Sequence, residues 1–166
     1  MRKAIDPHRS MTQTTGGKSE VVMSCQTQVT NYYKLKYQVL QATESPEPQP
    51  GLIKRLEAEE YTADGAMLTC VRGMPAVQPV FALGGTWNYG GKPGPVISCL
   101  GNLMTIDMSA YPGLPGTEIK KRATAGGLIL DNSDIWVYFP DDNAYTGRLQ
   151  APNLIVWSNN SEWVKA

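Results

Sequence analysis

The sequence predicts an all-β fold: an antiparallel meander of hairpins that closes into a small β-barrel or packs as a β-sandwich. Three observations carry this expectation. Residues 81–166 consist of short segments in which apolar and polar residues alternate with the period of a strand. Pairs drawn from Gly, Asn, Asp, Ser and Pro separate those segments where hairpins turn. Folding residues 96–108 about Gly101-Asn102 leaves one face wholly apolar, and a slip of one residue would mix the two faces. Roughly ten strands are expected, well above the usual strand fraction.

The 166 residues suit one domain, large enough to need no covalent staple. Residues 1–20 are polar and aperiodic and read as a disordered arm; residues 21–166 read as the single all-β domain. Within the arm, Gly16-Gly17-Lys18-Ser19 is not a phosphate loop, because Thr12 stands where the first glycine belongs. In residues 21–43, Tyr33, Leu35, Tyr37 and Val39 alternate with polar residues, which reads as two half-buried strands. Residues 44–51 form a proline-rich connector. Residues 56–61 and 66–71 read as a hairpin turning at Ala63-Asp64-Gly65, with a helix over residues 52–60 as the alternative.

Residues 84–95 are too rich in glycine and proline for a central strand and read as a loop rooted on Trp87 and Tyr89. Here Gly85-Thr86-Trp87 resembles the opening strand of avidin-like and lipocalin-like barrels, where the motif lies near the N-terminus rather than mid-chain. The resemblance is confined to residues 84–87 and agrees with the hairpin meander that follows. In the first hairpin, Cys99 faces Met104 and Ile97 faces Ile106. Residues 110–116 form a second glycine/proline loop.

The next hairpin turns at Asn132-Ser133, setting Leu130 against Ile135 and Leu128 against Val137. That register also opposes Asp131 and Asp134, a repulsion that a bound cation or, more simply, a longer turn would relieve. Residues 145–150 and 154–157 turn at Pro152-Asn153, so that Leu149 faces Val156 and Arg148 faces Trp157. A turn at Asn159-Asn160 sets Val156 against Trp163 and Trp157 against Glu162; a longer loop would put both tryptophans on one face.

Two faces result. The core face holds Ile97, Cys99, Met104, Ile106, Met108, Leu128, Leu130, Ile135, Val137, Phe139, Leu149, Val156 and Trp163. The other mixes aromatics with charge: Ser98, Thr105, Asp107, Ile129, Trp136, Tyr138, Arg148, Trp157 and Glu162. Trp87, Tyr89, Asp107, Trp136, Tyr138, Arg148, Trp157 and Glu162 are the candidate ligand-binding residues, because aromatic faces flanked by hydrogen-bonding groups stack on rings and sugars. Arg148 beside Trp157 suggests a cation–π contact.

Composition narrows the chemistry. Fifteen basic and fifteen acidic residues leave no basic excess for nucleic acid, so no nucleic-acid partner is expected. No apolar run approaches the roughly 20 residues of a membrane span, so no membrane partner is expected. The sole histidine, His8, lies in the arm, which removes histidine-dependent nucleophiles. Asp107, flanked by Ile106 and Met108, is a carboxylate whose pKa burial would raise; an outward-facing residue is the plainer reading.

Cys25, Cys70 and Cys99 lack metal-ligand spacing and are expected to be buried thiols, with one disulfide as the alternative. No metal and no cofactor is expected. The N-terminal residues lack an apolar signal core, which predicts a cytoplasmic protein unless the chain is a processed, secreted form. The expected function is binding of a small apolar or aromatic ligand by the barrel. The alternatives are a lectin-like carbohydrate module and a small barrel enzyme (isomerase, cyclase or lyase) using a carboxylic acid with Tyr or Arg. The partner is thus a small molecule or a glycan, and a homo-oligomer is compatible with the sequence.

Overall fold

A computed structural model describes the backbone of residues 7–166 and the side chains from Glu20 onward. The arm read over residues 1–20 lies outside the described residues at its first six positions and outside the described side chains up to Ser19. The fold joins two helices, α1 (Pro7–Thr43) and α2 (Pro50–Arg72), to eight strands. These are β1 (Gly85–Tyr89), β2 (Lys92–Leu100), β3 (Leu103–Asp107), β4 (Ala125–Ile129), β5 (Asp134–Tyr138), β6 (Ala144–Gln150), β7 (Leu154–Trp157) and β8 (Glu162–Lys165). Each strand pairs antiparallel with its sequence neighbour, and β8 returns to β1, closing the barrel that the hairpin meander predicts.

The N-terminal third departs from expectation: residues 21–43 and 52–71 are helical, not strands. Among the described side chains of α1, Cys25, Val29 and Tyr33, four residues apart, are the buried positions, with Tyr33 part of a local alternation that misleads. In α2 the buried positions are Leu56, Met67 and Val71, again at helical spacing. Pro50 begins α2, where its missing N–H costs nothing, and the prolines before it stop α1 from continuing. Gly73 ends α2, its N–H reaching the carbonyls of Cys70 and Val71.

Cys25 and Cys70 form a disulfide across the two helices, so these thiols are not free as expected; Cys99 is free and exposed. The helical hairpin is therefore tied by the proline connector at one end and by the disulfide at the other. It lies on the outer face of β3–β5, where Tyr33, Val29, Met67 and Val71 cover Leu103, Leu128, Leu130, Trp136 and Tyr138. Gly126 makes this contact close. The Tyr33 ring rests against its backbone, where a Cβ would overlap the ring, and Tyr33 Oη hydrogen-bonds Thr105 Oγ1 at 3.1 Å.

The β2–β3 register is as expected, with Ile97 opposite Ile106 and Cys99 opposite Met104, and Gly101 takes the positive φ its turn requires. The later hairpins differ by one residue. Leu128 faces Trp136 and Ile129 faces Ile135, because the β4–β5 turn is longer than two residues. Asp131 lies in that turn and accepts the N–H groups of Ser133 and Asp134 on Oδ1, so it does not oppose Asp134. Leu149 faces Ile155, and Gly147 faces Trp157. Ile155 faces Trp163 and Val156 faces Glu162, with Trp157 N–H donating to the Ser161 carbonyl across a longer β7–β8 loop.

Each slip exchanges the faces of a strand. Ile129 and Trp157 therefore point into the barrel, while Leu128, Leu130 and Val156 leave it. The barrel interior is filled by Trp87, Ile97, Met104, Ile106, Ile129, Ile135, Val137, Leu149, Ile155 and the residues described below. Gly127 and Gly147 make room: a Cβ on Gly127 would press on Val137, and one on Gly147 would sit 2.9 Å from Ile155.

Candidate functional site

The two ends of the barrel are unlike. At the end where β2 turns into β3, the segment between α2 and β1 folds across the opening. Val77, Phe81 and Leu83 pack against the interior residues, and Trp87 Nε1 donates to the Leu83 carbonyl at 2.9 Å. Asn102, a buried polar residue, holds this plug. Its Oδ1 accepts the Val77 N–H at 3.0 Å and its Nδ2 donates to the Pro75 carbonyl at 2.6 Å. Both halves of the amide are thus used, which locks the segment in one path.

The opposite end is a mouth. Tyr89 at the close of β1, Phe139 after β5, Tyr145 on β6, Trp157 at the end of β7 and Trp163 on β8 all line it. The rings form a continuous set: Trp157 meets Trp163 edge-to-face at 4.8 Å, Phe139 meets each of them edge-to-face at 6.1 and 6.2 Å, and Tyr89 lies tilted against Trp163 at 6.1 Å. These are the separations aromatic pairs prefer. They enclose a cavity of about 40 Å³. That is room for roughly three waters or one small chemical group.

Polar groups rim the cavity: Arg122, Asp142, Asn159 and Ser161. Arg122 is held by Asp141 in a two-pronged ion pair, Nε to Oδ2 at 2.7 Å and Nη2 to Oδ1 at 2.8 Å, and Ala123 N–H donates to the same Oδ2. Burial opposes ionisation of Asp141, yet Arg122 and the Ala123 N–H outweigh it and hold its carboxyl below the usual range. Arg122 is correspondingly raised, chiefly by its bond to Asp141. Asp142 Oδ2 accepts the Tyr145 hydroxyl at 3.0 Å, and this bond raises the Tyr145 pKa. Trp157, 3% exposed, keeps an indole Nε1 that is buried with no hydrogen-bond partner, the one such side-chain atom among the described residues.

The candidate residues read from the sequence scatter over the fold. Tyr89 and Trp157 meet at the mouth. Trp87 is buried inside the barrel, its indole donating to the plug, with Lys165 Nζ 5.8 Å from its ring. Trp136 and Tyr138 lie under the helical hairpin, and burial raises the Tyr138 pKa. Arg148 is exposed and pairs with Asp134 at 3.4 Å rather than with Trp157, which points to the other side of the sheet. Glu162 is exposed on the outside of β8. Asp107 is exposed, and its carboxyl is lowered by hydrogen bonds from Ser109, opposite to the rise that burial would bring.

The mouth also contains residues not singled out as ligand-binding: Phe139 and Trp163, read as core, and Arg122, Asp142 and Tyr145. Reading the β7–β8 loop as longer than two residues would have brought Trp157 and Trp163 together, since that register puts both on one face. No local signal marks Arg122, which precedes β4 in a loop. No family model, no curated protein and no solved structure matches this chain.

Proposed function

We propose that this protein is a binding barrel whose site is the open mouth, not the lumen and not the outer face of the sheet. The observation that carries the reading is convergence: five aromatic residues from β1, β5–β6 and β7–β8 surround one opening while the other is plugged. Sequestered ligands occupy pockets of roughly 300–1,000 Å³. A mouth of about 40 Å³ above a filled interior instead favours a ligand that stacks across the aromatic rim and inserts one small group. A rigid rim loses little freedom on binding, which favours recognition through stacking.

The nearby carboxylates favour binding over acid–base catalysis. Asp141 is committed to Arg122, Asp142 at the rim is engaged by the Tyr145 hydroxyl, and Asp107, away from the mouth, has its carboxyl lowered. The Cys25–Cys70 bond favours an oxidising compartment over the cytoplasm expected from the N-terminal residues.

A fragment titration followed by ¹H–¹⁵N NMR tests the site, because the four tryptophans occupy different places. Ligands should shift the indole N–H signals of Trp157 and Trp163 and leave those of Trp87, at the plug, and Trp136, under the helices, in place. Ligands that move Trp136 or Trp87 while sparing the mouth signals would overturn the proposal.

A further inference from the structure

We infer that the group taken by the mouth is a neutral hydroxylated ring, a saccharide; this rests on the mouth being the binding site. Four ligand classes present themselves, and the polar groups at the mouth separate them. Trp157 Nε1 is already buried without an acceptor, and an apolar ligand would leave it so, whereas buried indoles ordinarily find a partner. An anion would find an acceptor-poor donor in that N–H, but also an unfavourable field. Arg122 is already neutralised by Asp141, and Asp142 adds a further negative charge at the rim.

A cation would be drawn to Asp142 and to the ring faces, but the Trp157 N–H carries the wrong end of its dipole for it. A hydroxyl group meets both demands, because it accepts one hydrogen bond and donates another. Its oxygen accepts from Trp157 Nε1. A neighbouring hydroxyl donates to Asp142, whose Oδ2 already accepts from Tyr145 and whose remaining lone pairs are available to a donor.

Size agrees with this assignment. A cavity of about 40 Å³ admits a hydroxyl or hydroxymethyl substituent, not a whole pyranose. The ring then remains above the mouth, against Tyr89 and Tyr145, the more exposed of the aromatic residues that line it. The C–H face of a sugar ring suits such a surface, because those aromatic faces are the negative pole of their quadrupoles.

The test uses the whole chain and a panel of probes: methyl pyranosides and short oligosaccharides, tetramethylammonium, acetate and indole. Saccharides should shift the Trp157 indole N–H signal and bind more tightly than the other three probes. Trp157→Phe keeps a ring and removes the donor, and should weaken saccharide binding by about tenfold. Asp142→Asn, an exposed turn position, should weaken it several-fold with the melting temperature unchanged, so the test survives if Trp157→Phe fails to fold. Tighter binding of tetramethylammonium, acetate or indole at the same signals would overturn the saccharide assignment and leave the mouth as the site. Mouth signals unmoved by every probe would overturn both.

Discussion

Substituting Gly126 by alanine should peel the helical hairpin away from the barrel, and the cause can be isolated by removing Tyr33. A Cβ on Gly126 would occupy the space of the Tyr33 ring, which is 3% exposed and anchored by its hydroxyl to Thr105. Overpacking of this kind costs about 1–3 kcal/mol, and more where the neighbour cannot move. Tyr33 has little freedom, because Cys25 and Cys70 fix α1 against α2. Tyr33→Ala alone should cost about 3–5 kcal/mol for the lost ring. The lost hydrogen bond adds about 1 kcal/mol.

If the two effects were independent, the double variant would lose their sum. If the Gly126→Ala cost is the clash with this ring, the double variant should be no less stable than Tyr33→Ala, with a coupling equal to the Gly126→Ala cost, about 1–3 kcal/mol. Equilibrium urea unfolding of all four proteins, followed by near-ultraviolet circular dichroism, measures this directly. Additivity within about 0.5 kcal/mol would refute the close contact between α1 and β4.

Other consequences are equally direct. Trp157→Ala and Trp163→Ala should each cost about 3–5 kcal/mol. Their effects should be non-additive, because the rings touch at 4.8 Å; a near-neutral Trp157→Ala would restore the shorter β7–β8 turn. Replacing both Cys25 and Cys70 by serine should lower stability by roughly 4 kcal/mol, the chain-entropy value for a separation of 45 residues. A melting temperature that ignores both this change and added reductant would contradict the bond. Asp141→Asn should lose about 3 kcal/mol at neutral pH by stranding Arg122. Because the folded carboxyl titrates below its unfolded value near 3.9, the contribution is complete above about pH 5 and is lost as pH falls through the folded value. The gap between Asp141→Asn and the parent should therefore close on acidification in urea titrations; a constant gap would contradict the ion pair.

The barrel was legible after residue 95 because its hairpins are local, whereas residues 84–95, read as a loop for their glycines and prolines, form β1 and the start of β2. Gly101-Asn102 specifies both turn and register within one short segment, and Ile97, Met104 and Ile106 face inward as that register requires. The other turns contain Asn, Asp and Ser, which serve turns of several lengths. Asp131 closes its longer turn with side-chain hydrogen bonds that a two-residue reading does not anticipate. A single-residue error there exchanges the faces of β4 and β7, and so moves Trp157 between the surface and the mouth.

The helices were hidden for a different reason. Tyr33, Leu35, Tyr37 and Val39 alternate like a strand, yet Cys25, Val29 and Tyr33 define the buried line. Only the wider window, extended to Leu56, Met67 and Val71 in α2, distinguishes the helical period. The mouth was legible only in part, since it is assembled from strand ends distant in sequence. Trp157 and Tyr89 stand out by type, whereas the pairing of Arg122 with Asp141 is a product of the fold.

The seam between β1 and β8 has a consequence for self-association. It consists of Trp87 against Lys165, Asn88 against Val164 and Tyr89 against Trp163, fewer pairs than the β2–β3 ladder. While it is closed, no strand of the barrel offers an unpaired backbone edge, and the sheet cannot recruit another sheet. Parting these pairs releases two edges at once, one on β1 and one on β8. The β8 of one molecule can then complete the barrel of another with the same pairs and the same buried tryptophan. Exchange by this route conserves every ladder contact while crossing two chains, so its equilibrium is governed by concentration and by the β7–β8 loop rather than by any new interface.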